Sequence, residues 1–279
     1  MRASERHLYE KYAQALDGAA RSEFTRFLWQ RCLITHAETY AAFVTHKLIA
    51  LAVRAACLDW NTQSMELIQT SQQLLRASSN PTAVGVGLAT VGALVDEVTG
   101  TPPPIVADGL LPSAQAQGVY TSLSSTLTAT TAAVCSTMRS AAEGSFPAAP
   151  SQTAPSGAGA GATGGFFGGS TDATSVNYKL ASRSVGVLSS ILSEWGLGPH
   201  VSVAGLNTVL ALVSAGLRAS HSSRLQTDAT LAAVNCIVDM VRTPRVPVEF
   251  SSLFGENAAH MLRAVHHMLL PSAAGSHQT

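Results

Sequence analysis

Apolar positions recur three and four residues apart along most of the chain, and strict alternation is scarce, so the pattern predicts helices and no sheet. A short charged helix is expected over 3–17, ending at Gly18. Residues 20–34 place Phe24, Phe27, Leu28 and Cys32 on one face of a second. The stretch 38–58 reads as a long apolar helix crossed by Lys47 and Arg54, with Phe43, Leu48, Leu51 and Ala55 expected to pack inward. Residues 62–78 follow, with Met65, Ile68, Gln72 and Leu75 along one stripe. Pro81 suits the first turn of a helix over 82–99, whose Gly and Ala content allows close packing, and Gly100 with Pro102, Pro103 and Pro104 ends it. A longer helix is expected over 113–142, with Tyr120, Leu123, Leu127, Val134 and Met138 as its apolar side. Helices resume over 176–195, 200–217, 226–242 and 250–270.

Between residues 144 and 175 the pattern stops. The segment is Gly, Ala, Ser, Pro and Thr with almost no aliphatic residues, too little apolar area to offset ordering entropy, and it reads as a disordered insertion. The chain therefore divides into repeats over 1–143, the insertion 144–175, further repeats over 176–271 and a flexible tail 272–279. Helices joined by short turns, in pairs of about 40 residues, predict an all-α solenoid of helical hairpins of HEAT or armadillo type. A globular helical bundle is the structural alternative.

Composition narrows the partners. Lys and Arg total 17 and Asp and Glu total 17, so there is no basic surplus for nucleic acid. Only 12% of residues are charged, about half the usual share. Cys32, Cys57, Cys135 and Cys236 are far apart with no CxxC, so they read as reduced, buried small side chains of an intracellular protein. The polar start MRASERHLYEKYAQ does not read as a signal peptide. Residues 195–217 lack Asp, Glu, Lys and Arg, but Gly196, Gly198 and Pro199 break the run, so a buried helix is expected there and no membrane insertion.

Few residues suggest chemistry. Gly159, Gly161 and Gly164 satisfy GxGxxG only inside the low-complexity segment, without the strand and helix the motif needs. His260, His266 and His267, with His36 and His46 near the start, lack nearby carboxylate or thiolate ligands and read as surface or capping groups. Asp96 and Glu97 read as a solvated helix end, and Asp59 and Glu194 as isolated carboxylates. With no GxSxG elbow either, the expectation is a protein that is not an enzyme and carries no cofactor or metal. Lys47 and Arg54 are seven apart and share a face; with His46 and Arg26 they form a basic stripe, either solvated charge or a surface for an acidic partner.

The stretch FLWQRCLITHAETYAAFVTHKLIALAVRAACLDW, Phe27 to Trp60, resembles a second HEAT hairpin of the importin-β/exportin superfamily: Phe43, Val44, Lys47 and Leu48 match its helix start, and Asp59 and Trp60 its closing turn. Residues 66–98 resemble the next hairpin. Residues 228–269, with Cys236, Ile237 and the Val246–Phe250 turn, are similar to a superfamily member that carries actin–profilin out of the nucleus. The resemblance is collinear over about 20–270, each motif alone being weak because helical hairpins share one periodicity. Members of the superfamily are several times longer, so the chain is expected to be an N-terminal portion lacking most of the first hairpin. The resemblance implies a receptor shuttling between nucleus and cytoplasm that binds GTP-bound Ran, nuclear pore proteins and protein cargo, with actin–profilin as a candidate cargo. It puts Lys47, Arg54 and His46 on the Ran-facing concave side. A generic HEAT scaffold without Ran dependence is the alternative.

Overall fold

The computed structural model describes residues 17–35, 40–76, 80–100, 102–148, 172–195, 201–218 and 223–242, with Ala15 and Gly255 as single positions. The helix expected over 250–270, nearly all of that over 3–17, the tail 272–279 and the core of the insertion lie outside the described residues, as do His36, His260, His266 and His267. Among the described residues every regular element is helical and no strand occurs.

In chain order the helices are α1 (Gly18–Arg26), continued by a π-helical segment (Phe27–Ile34), then α2 (Ala42–Leu58), α3 (Trp60–Arg76) and α4 (Pro81–Val98). The short α5 (Pro104–Ala107) leads into the long α6 (Ser113–Ala142), followed by α7 (Ala173–Trp195), α8 (Val203–Arg218) and α9 (Arg224–Arg242). Their starts are set by side chains that satisfy orphan N–H groups. Asp17 accepts from the Ala20 N–H at 2.8 Å and Asn80 from that of Ala83 at 3.0 Å, with Pro81 just inside the helix as the sequence predicts. Asp172, Ser202 and Ser223 do the same for α7, α8 and α9. Gly144 ends α6 at φ +72°, with its own N–H donating to Ala141 and that of Ser145 to Ser140, the paired bonds of a Schellman stop.

Leaving α5 aside, the helices pack chiefly on the next or the next but one, α7 meeting α9 rather than α8. Helices α3, α6 and α8 follow one another on one side and α2, α4, α7 and α9 on the other, with the π-helical segment packed against α2. Such layering is compatible with a solenoid of helical hairpins. Helix α4 lies at its centre, packed on α2, α3, α6 and α7, and buries Val84, Val86, Leu88, Val91, Leu94 and Val95. It is also the described helix long and apolar enough to cross a membrane, but two-thirds of it (67%) is buried inside this protein. The apolar run over 203–217 is likewise built into the fold, as α8 against α6 and α9.

Two expectations need correction. The insertion does not begin at residue 144 or extend to 175. Phe146 is 2% exposed, its N–H donates to Asn177 Oδ1 at 3.1 Å, and Asn177 Nδ2 donates back to the Phe146 carbonyl at 2.8 Å. This clasp and the Asp172 cap draw both ends of the segment into the fold. The face assigned to 20–34 is also wrong in part. Hydrogen bonds from i+5 to i put residues four and five apart on one side, so Leu28, Trp29 and Leu33 are buried while Phe27 is 54% exposed.

Candidate functional site

Helix α2 carries the residues singled out as a basic face, and the fold separates them. Phe43 is 72% exposed rather than packed, and His46, Lys47 and Ala50 lie exposed one turn and two turns further along the same side. The His46 Nδ1–H donates to the Ala42 carbonyl at 2.6 Å, which holds the ring against the helix. Leu48 and Leu51 are half-buried against the core, and Ala55 is buried.

Arg54 is not part of that open face. Its Nε lies 2.9 Å from Glu97 Oε1 and its Nη1 3.1 Å from Asp108 Oδ2, with 13% of its side chain exposed. A cation so engaged by two largely buried carboxylates is committed to the fold, and Arg54 is withdrawn from the partner-binding set. Glu97 is correspondingly no solvated helix end: burial raises its carboxyl above the ordinary range, partly opposed by Arg54. The same burial, reinforced by Glu97, pushes the buried Cys57 thiol up. Asp96, raised by burial and lowered by a bond from Ser190, faces α7 instead.

Nor is Asp59 alone. Arg21 grips it bidentately, Nε to Oδ2 at 2.9 Å and Nη2 to Oδ1 at 3.1 Å, tying α1 to the corner where α2 ends and the buried Trp60 opens α3. Glu194 bonds the Tyr120 hydroxyl, whose ring stacks on Trp195 at 5.0 Å between centroids.

Beside the Asp59–Trp60 corner lies a cleft of about 500 Å³. Trp60, Leu111 and Val119 give it apolar walls, and Asp59, Gln115 and Ser122 line it with polar groups. Gly118 exposes bare helix backbone to it. Nothing in the periodicity singles out this cleft; the available signals were a glycine inside a long helix and an Asp-Trp pair at a helix junction. Among the described residues no group of three His, Cys, Asp or Glu could hold a metal ion.

Comparison with protein-family models, curated proteins and solved structures finds no match. The fold and surface thus define a class, an all-α protein of closely packed helices with an exposed apolar-basic strip on α2 and a cleft beside α6.

Proposed function

We propose that this chain is a helical-hairpin scaffold of HEAT or armadillo type that recognises a protein partner through the exposed side of α2. The observation that carries the reading is the packing order, in which the helices meet chiefly their next or next-but-one neighbours along the chain. Stacks of this kind present long surfaces and bind rather than catalyse. Phe43 supplies an aromatic anchor, Lys47 the positive charge that an acidic surface complements, and His46 a polar group beside it.

The more specific reading is a portion of a nuclear transport receptor, with GTP-bound Ran as the acidic-surface partner and cargo and nuclear pore proteins bound elsewhere. What favours it is the placing of the quoted motif: the Phe43–Leu48 run opens α2, and Asp59–Trp60 makes its closing corner. Recovery of Ran on the immobilised chain tests both. The expected result is capture of the GTP form over the GDP form, lost in the His46→Glu/Lys47→Glu double variant. Equal capture of both forms, or capture that the double variant leaves unchanged, refutes the transport reading with this face.

A further inference from the structure

We draw no further inference here: the strongest candidate, the small recess between α3 and the helix running from α1 into the π-helical segment, beside the buried Trp29 whose indole N–H bonds no other described residue, is lined by both Arg26 and Glu66, and nothing in the structure shows what fills it.

Discussion

At Arg54 one guanidinium faces two carboxylates, Glu97 at 2.9 Å and Asp108 at 3.1 Å, drawn from the ends of two other helices. Removing it takes the guanidinium from both partly buried acids, so Arg54→Ala is expected to cost about 3 kcal/mol, the low end for a broken buried pair because 12–18% of each carboxylate side chain remains exposed. Lys47→Ala, at an exposed site seven residues away, should stay within about 0.5 kcal/mol. The sign of the pH dependence follows from Glu97. Burial already holds its carboxyl above the ordinary value, and Arg54 is the main influence pulling it down. In the variant the folded pKa rises further. A carboxyl raised by folding binds a proton more tightly in the folded state, so its favourable contribution is complete at acid pH and is lost as pH rises through the raised value. The deficit of Arg54→Ala should therefore be smaller at about pH 5 than at about pH 7.5 in urea unfolding. An equal deficit at both would mean that Glu97 is not held by Arg54.

Among the elements, glycine marks where helices approach and where they do not. In α8 a Cβ at Gly205 would lie 2.6 Å from Cys135 Sγ and 3.3 Å from its Cβ on α6. Gly205→Ala is thus expected to cost about 1–3 kcal/mol by overpacking, and Cys135→Ala in the same chain to recover part of it. Gly186→Ala on the open side of α7, with no neighbour within 4 Å, should instead gain about 0.5–1 kcal/mol. Chemical denaturation of the variants separates the cases; a neutral Gly205→Ala would contradict the close crossing of α6 and α8. The sequence announces part of this. The small residues of α4 do predict close packing, realised where Gly87 meets Leu74 and Gly92 meets Val187. Pro81, Gly100 and the proline run mark its ends correctly. The 27–34 stretch was misread because a period of 3.6 was applied to a π-helical segment, hiding Trp29 from the core. Asp172, Phe146 and Asn177 were hidden differently: each is an ordinary residue at the edge of a low-complexity stretch, Asp172 caps α7 by accepting from the Ser175 N–H, and Phe146 and Asn177 bond across 31 positions in sequence. Arg54 failed for the same reason, since a helical wheel gives its direction on α2 but not the acids that α4 and the turn after α5 bring to it.

For the whole molecule, the order of helix contacts bears on how it comes apart. In a stack, stability is close to a sum of repeat and nearest-neighbour contributions, so damage at one end stays local. Helix α9 packs chiefly on α7 and α8, whereas α4 packs on α2, α3, α6 and α7. Ala233 in α9 and Leu88 in α4 are both fully buried at 0% exposure, so an Asp at either position places a carboxylate in the core. With Ala233→Asp, amide hydrogen exchange is expected to accelerate across α8 and α9 while α2, α3 and α4 keep their protection. With Leu88→Asp, protection should be lost from α2 through α7, because the substitution lies where both layers meet. A globular bundle with one cooperative core predicts something else: either substitution would lower protection everywhere by the same free energy. Uniform loss in Ala233→Asp would therefore reject the stacked-hairpin architecture and, with it, the long binding surface on which the proposed function depends.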